Sequence, residues 1–537
     1  MKFDPLYQPY PSNRYCITAR HGVVASGSNL ATAAGLAVLR KGGNAVDAAV
    51  AAAAALTVVE PTANGLGGDA FALVWINGKL HGLNASGYSP CGISRQKVLD
   101  RVPDGKMPLY GWVPVMVPGA VEGWCTLVER FGRLTLEEDL APAIDYAENG
   151  YPLSPRLAYH WEASVKRFKE AFRGKHEYEE WFRTFTSNGE SYHFGDMVTL
   201  KNHARTLKLI GESNGRAFYE GEIAAKLVEQ SARDGGYFSL RDLAEYRAQW
   251  VDPIHVNYHG YDIWEIPPNG QGIAALMALN ILKEFRFEKR EDPEMFHHQM
   301  EAMKIAFADA MHYVSDPRHM NIDYNELLKP EYGAARAKEI GSHAELRTYS
   351  VPSESGTVYL CTADEDGSMV SFIQSNYMGF GSGIVVGDYG VSLQNRGSDF
   401  SLDPEDVNVL APHKKSYHTI IPGFITKGDR AIGPFGVMGG YMQPQGHVQT
   451  VMNRIDFDLN PQMALDAPRW QWIKEKQIRI EPGFDPEIYE ALKARGHDIE
   501  WADNRTAFGR GQIIERLENG VYVAGTESRT DSNIACY

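Results

Sequence analysis

Cysteine is scarce in this chain of 537 residues, with five in all. Cys16, Cys91, Cys125, Cys361 and Cys536 are widely scattered, and no two have the spacing of a metal site or a redox motif. Their odd number and scatter argue against a disulfide framework and for a reducing compartment. An excess of positive charge is also missing: 53 Lys and Arg against 68 Asp and Glu leave a net charge of −15. An acidic balance disfavours non-specific binding to nucleic acid or to an anionic membrane surface. No apolar run is long enough to span a bilayer; the most apolar stretch, Ala48 to Val59, is short and mostly alanine. Met1 to Tyr15 is rich in Pro and Tyr and has no apolar segment, so no secretory signal is expected. The expectation is a cytoplasmic protein acting on small molecules or peptides, with no nucleic-acid or membrane partner.

The composition itself is globular, 44% hydrophobic and 23% charged. The length exceeds what one core fills, so several cores or one large multilayer domain are expected. Asn29 to Lys41 reads as a helix, and Asn44 is placed to cap a second, alanine-rich helix running to Thr57. Leu240 to Trp250 also reads as helical. Ile254 to Ile266 reads as a hairpin broken at His259-Gly260. Pro293 opens a long amphipathic helix carrying His297, His298 and Glu301. No pair of these has zinc-protease spacing, so the two histidines read as a solvated or capped pair and no metal site is expected. The chain after Gly356 is β-rich.

Two motifs fail their context. Gly65-Leu66-Gly67-Gly68-Asp69-Ala70 resembles a dinucleotide fingerprint, but it follows a helix and opens a strand, the reverse of what phosphate binding needs. Its glycines read better as a tight turn or a close backbone approach. Gly211-Glu212-Ser213-Asn214-Gly215 has the nucleophile-elbow pattern, which would make Ser213 a serine nucleophile, yet a second glycine delays the required helix.

Thr357 is the more informative residue. Thr348 to Ser355 reads as an exposed linker that delivers the chain to Gly356-Thr357. Val358 to Ala363 is a strand, and Asp366-Gly367 predicts a two-residue hairpin turn with positive φ at both positions. Met369 to Gln374 returns as the second strand. On local sequence alone, Thr357 is an ordinary strand-opening threonine.

Several stretches together are more specific. Lys41 to Ala49, Gly65 to Gly68, Val117-Pro118-Gly119, Leu140 to Ile144, Asp242 to Tyr246, Ala306 to Asp309, Gly381 to Val385, Asp399-Phe400-Ser401 and Ala467-Pro468-Arg469 follow one another in the order found in γ-glutamyltransferases. Over nearly its full length the chain resembles this family of N-terminal-nucleophile hydrolases. The resemblance implies an α+β fold, a four-layer αββα sandwich, and a precursor that cleaves itself between Gly356 and Thr357. The implied products are a large piece, 1–356, and a small piece, 357–537, that stay associated as one fold and could assemble further. No cofactor is implied. A threonine at a free N-terminus carries its own base, because its α-amine has a pKa near about 8.

The resemblance also implies site residues. Gly439-Gly440 would supply oxyanion-hole amides, and Ser375 stands where the family has a threonine hydroxyl near the nucleophile. Asp399 aligns with the acid that holds the α-amino group of a γ-glutamyl substrate. Other positions depart from the pattern. The arginine for the α-carboxylate, expected near Asn84, is missing. His418-Thr419 replaces paired serines, Tyr377 an asparagine, and Arg396 a glutamine, and the lid segment between Asp399 and His418 is short. These departures resemble the acylase-like branch of the family, which includes cephalosporin acylases. They suggest that Arg396 recognises substrate charge, with His418 and Thr419 adding hydrogen bonds. A γ-glutamyl compound is the first substrate expected and a glutaryl or related acyl amide the second. The competing readings are an unprocessed, non-catalytic binding scaffold and the Ser213 hydrolase.

Overall fold

The computed structural model describes residues 13–102, 104–347 and 356–537. The expected linker at Thr348 to Ser355 lies outside them. Two antiparallel seven-stranded sheets lie at the centre. The first runs, edge to edge, through Asn533–Cys536, Gly22–Ser26, Gly356–Asp364, Met369–Tyr377, Asp69–Ile76, Lys79–Ala85 and Gln249–Val251. The second runs through Ile17–Ala19, Tyr522–Thr526, Arg510–Arg516, Arg430–Met438, Gly423–Lys427, Tyr261–Glu265 and Ile254–Tyr258.

Strand alternation explains how these sheets stack. In Gly356–Asp364, Val358 and Leu360 face a helical core that includes the alanine helix, whereas Tyr359, Cys361 and Ala363 face the second sheet. Phe424, Met438 and Ile514 of the second sheet meet them there. Helices Gly272–Leu282, Pro293–Tyr313 and Met442–Ile455 cover the far side of the second sheet. Helix, sheet, sheet and helix give the four-layer αββα sandwich, in which the two central strands are buried along their whole length.

The alanine helix, Ala45–Val59, is buried at every position. Small side chains let it sit close against the sheet. Asn44 caps it by accepting from the Val46 and Asp47 amides, Asp47 closes a capping box, and Asn44 Nδ2 also donates to the Phe131 carbonyl at 2.6 Å. Thr362 Oγ1 donates to the Ala45 carbonyl at 2.7 Å, tying the cap to the central strand. Asn44→Ala should therefore lower stability by about 1–2 kcal/mol, read as a lower urea midpoint.

Three expectations need correction. The hairpin after Ala363 does not use a two-residue turn. The Gly367 amide donates to the Asp364 carbonyl at 3.2 Å and only Gly367 takes positive φ, because Asp364 Oδ1 accepts from the Asp366 and Ser368 amides and holds a type I turn. The segment Leu240 to Trp250 is helical only over Leu240–Ala244 and then becomes strand Gln249–Val251, which pairs with Lys79–Ala85. The histidine pair is not solvated: His297 and His298 are buried, their rings lie 2.8 Å from the Gly341 and Glu294 carbonyls respectively, and His297 Nδ1 lies 2.8 Å from His497 Nε2, while Lys304 forms a short ion pair with the buried Glu301.

Candidate active site

Thr357 is buried near the head of the central strand, and the strand beside it is irregular. Gly356 pairs with Tyr377, but Val358 pairs with Gln374, so the partner strand carries one extra residue across from Thr357. Tyr377 absorbs this bulge with φ +74°, a left-handed conformation uncommon for a bulky residue. The bulge aims Ser375 at the nucleophile. Ser375 Oγ lies 3.1 Å from Thr357 Oγ1, 2.7 Å from the Gly356 carbonyl oxygen and 2.7 Å from the Tyr377 amide nitrogen. The carbonyl can only accept, so the Ser375 hydroxyl proton goes to Gly356. Thr357 and the Tyr377 amide must then donate to Ser375 Oγ, whose two lone pairs they fill.

Gly439 and Gly440 follow strand Arg430–Met438 with φ of +140° and +59°. Only glycine adopts the first readily, and a Cβ there would lie 3.1 Å from Gly509 Cα. Gly356 and Gly439 line the same cavity. The glycines at Gly67 and Gly68 are packing positions: a Cβ would come within 2.3 Å of the Ser392 carbonyl and 2.6 Å of the Ser375 carbonyl respectively.

The bulge also carries Tyr377 toward Asp399. Tyr377 Oη donates to Asp399 Oδ1 at 2.6 Å, and Arg396 Nη1 donates to Asp399 Oδ2 at 3.1 Å and to Thr419 Oγ1 at 2.9 Å. The Arg396 guanidinium stacks over the Tyr377 ring at 4.0 Å. Burial pushes the Asp399 carboxyl up, while the Arg396 charge pulls it down. Arg396 is 1% exposed, yet its Nε and Nη2 meet no acceptor among the described residues.

His418 hydrogen-bonds to other groups than Arg396. Its Nε2 lies 3.0 Å from Asp69 Oδ2, and its Nδ1 accepts from the Ile420 amide, so Nε2 carries the proton and donates to Asp69. Burial, Arg396 and Lys415 hold His418 neutral, and burial lifts Asp69 to about 7. Two residues of this cluster carry no motif. Asp69 opens strand Asp69–Ile76 directly after the glycine turn, where nothing local singles it out. Lys415, fully buried and lowered by burial to about 8, donates to Asn84 Oδ1 and Gln249 Oε1, each at 3.0 Å. It thus brings a cation to the position where the family's arginine is missing. Its one sequence signal is its place three residues before His418.

Other candidates fall away. Ser213 is the last residue of helix Lys201–Ser213, not the tip of a strand-to-helix elbow, and its hydroxyl donates to the Leu209 carbonyl.

An αββα sandwich presenting a strand-opening threonine behind a glycine, with a serine hydroxyl on both, defines the class of N-terminal-nucleophile amidases. The description gamma-glutamyltranspeptidase matches residues 31–537, and the chain belongs to that family. It is 36% identical to the glutathione hydrolase-like YwrD proenzyme of Bacillus subtilis, over 95% of this chain and 97% of that one. It is 32% identical to the oxamate amidohydrolase proenzyme of Klebsiella pneumoniae, over 96% and 98%. The crystal structure of cephalosporin acylase from Bacillus halodurans superposes with a TM-score of 0.97 at 52% identity, covering 100% of this chain and 99% of that chain. The chain is therefore an enzyme, a self-processing amidase or acyltransferase of the N-terminal-nucleophile type. Members of its family act on small amides and are processed into two subunits.

Proposed function

We propose that Thr357 is the nucleophile, first toward its own chain and then toward an acyl amide. The hydrogen-bond chain from Thr357 through Ser375 to the Gly356 carbonyl carries this reading. Thr357 Oγ1 attacks the Gly356 carbonyl carbon while the Ser375 hydroxyl supports the oxygen. The C–N bond breaks, the amide nitrogen takes the hydroxyl proton, and an ester between Gly356 and Thr357 results. Water hydrolyses the ester to a Gly356 carboxylate and the free Thr357 hydroxyl, leaving the Thr357 amine released in the preceding step. The pieces 1–356 and 357–537 then stay together, because the small piece's strands lie between strands of the large piece: Gly356–Asp364 pairs with Gly22–Ser26, and Met369–Tyr377 pairs with Asp69–Ile76.

In turnover the Thr357 amine accepts the hydroxyl proton, and the Gly439 and Gly440 amides receive the oxyanion in this reading. The Thr357 ammonium passes that proton to the substrate nitrogen, the substrate's amine leaves, and water or an acceptor amine releases the acyl group. Intact-mass measurement should find a break between Gly356 and Thr357. The kcat/KM should rise with pH through about 8, as the amine loses its proton and becomes a base. A single uncleaved but active chain would refute the mechanism, and an uncleaved inactive one would favour a scaffold. The cytoplasmic placement belongs to this proposal, supported by five free cysteines.

The Asp399 pairing orders the substrates. Its carboxylate already binds Arg396 and Tyr377, so a substrate ammonium would have to displace a cation. The Nε and Nη2 groups of Arg396, buried and without an acceptor among the described residues, suit an acyl carboxylate. A glutaryl-type acyl group without an α-amino group thus moves ahead of γ-glutamyl. For matched 4-nitroanilides, kcat/KM should favour glutaryl by at least about tenfold, since like charges brought together cost several kcal/mol. Arg396→Ala should raise the KM for the glutaryl substrate by about tenfold; an unchanged KM removes Arg396 from acyl recognition.

A further inference from the structure

Thr357, Ser375, the Gly439-Gly440 turn and the Arg396, Asp399, Tyr377 and Thr419 group all lie at or after residue 357, in the small piece. One side chain of the large piece reaches between them. Gln271 stands directly before helix Gly272–Leu282 and is fully buried. Its backbone amide donates to the His418 carbonyl at 2.8 Å. Its side-chain Nε2 donates to the Thr419 carbonyl at 2.6 Å and to the Gly440 carbonyl at 2.9 Å. A carbonyl oxygen only accepts, so the NH2 end of the amide must face both, and its two hydrogens are fully used. The other end, Oε1, faces the Tyr417 hydroxyl 3.5 Å away.

The two carbonyls belong to different parts of the site. Thr419 Oγ1 accepts from Arg396, the side chain assigned above to the acyl group. Gly440 is half of the oxyanion turn. That turn has little of its own to hold it, because glycine carries more backbone freedom than any other residue and two stand in succession. Its local ties are the Met442 and Gln443 amides, which donate to the Gly439 and Gly440 carbonyls at 3.0 and 3.1 Å and begin helix Met442–Ile455. Gln271 adds a tie from outside the turn.

We propose that Gln271 is a positioning residue for acyl transfer, fixing the Gly439-Gly440 turn relative to the acyl group held at Arg396. The inference rests on the proposed nucleophile and oxyanion turn. Oxyanion donors work because they are oriented before charge develops, so a turn free to rotate loses part of their effect. One amide with a hydrogen on each carbonyl sets the spacing between the acyl end and the oxyanion end. Self-cleavage does not draw on that spacing, since the Gly356 carbonyl is already seated 2.7 Å from the Ser375 hydroxyl. The two reactions of Thr357 therefore separate positioning from a general structural role.

The test uses Gln271→Met, which keeps the side-chain length and removes both donors, and Gln271→Ala. Both should self-cleave at nearly the wild-type rate, followed as loss of full-length chain on denaturing gels. On the acyl 4-nitroanilide that the wild type hydrolyses fastest, kcat and kcat/KM should fall together by about 10–100-fold, with KM within about twofold of wild type. A cleaved variant with unchanged kcat, or one in which KM rises instead, overturns the proposal. Failure of both variants to self-cleave also overturns it, because Gln271 would then serve the fold. A wild type that stays uncut and inactive refutes the Thr357 reading and this assignment with it. A cleaved, active wild type beside an equally active variant refutes the Gln271 assignment alone.

Discussion

Thr357→Ala should remain a single polypeptide and lose amidase activity by about 10⁴-fold or more, the scale seen when a nucleophile that acts in a unit is removed. Both losses come from one atom. Without Oγ1 nothing attacks the Gly356 carbonyl, so the chain is not cut and no free α-amine forms. Without that amine and that hydroxyl, no acyl-enzyme forms. The fold should survive, because the strand keeps its backbone pairing with Gly22–Ser26 and Met369–Tyr377 and loses only a hydroxyl and a methyl. Thr357→Ser retains the hydroxyl and should still be cleaved. Denaturing gels and intact mass report cleavage, and an anilide assay reports turnover. Two fragments from Thr357→Ala would place the nucleophile elsewhere.

Ser375→Ala should slow self-cleavage by about 10²–10³-fold, the cost of removing one donor to a developing oxyanion. Ser375 makes three contacts in this site, and alanine makes none of them. The Gly356 carbonyl loses its donor, Thr357 Oγ1 loses its acceptor, and the buried Tyr377 amide is left unpaired. The last effect costs about 1–3 kcal/mol and loosens the bulge that shapes the site. Ser375→Thr keeps the hydroxyl and should process at nearly the wild-type rate. Accumulation of uncleaved precursor over time after synthesis measures the effect. Processing of Ser375→Ala at the wild-type rate would remove Ser375 from the mechanism.

Much of the architecture is written in local pattern. The alternation of Val358 and Leu360 with Tyr359 and Cys361 marks a strand covered on both faces, and the alanine run after Asn44 marks a helix packed close. The glycines at 439 and 440 mark a backbone that side chains would obstruct. Each of these depends on neighbours in sequence, and the buried strand and the buried helix are both found in the fold. The motif at Gly211 to Gly215 misled in isolation because its meaning depends on the elements that flank it, and those are a helix and a short helix rather than a strand and a helix.

By itself, then, the sequence marked strands and helices through period and capping, and its ordered motifs, through the family they resemble, implied the layered fold and Gly356-Thr357 as the point to examine. Only the tertiary structure decided how the site is aimed and charged. The bulge that turns Ser375 toward Thr357, the Arg396 and Tyr377 bonds that occupy Asp399, the Lys415 ammonium at Asn84 and the Gln271 amide at Gly440 all arise from contacts between separate segments. The side chain that neutralises a buried carboxylate is set by distance in space, which no local pattern encodes.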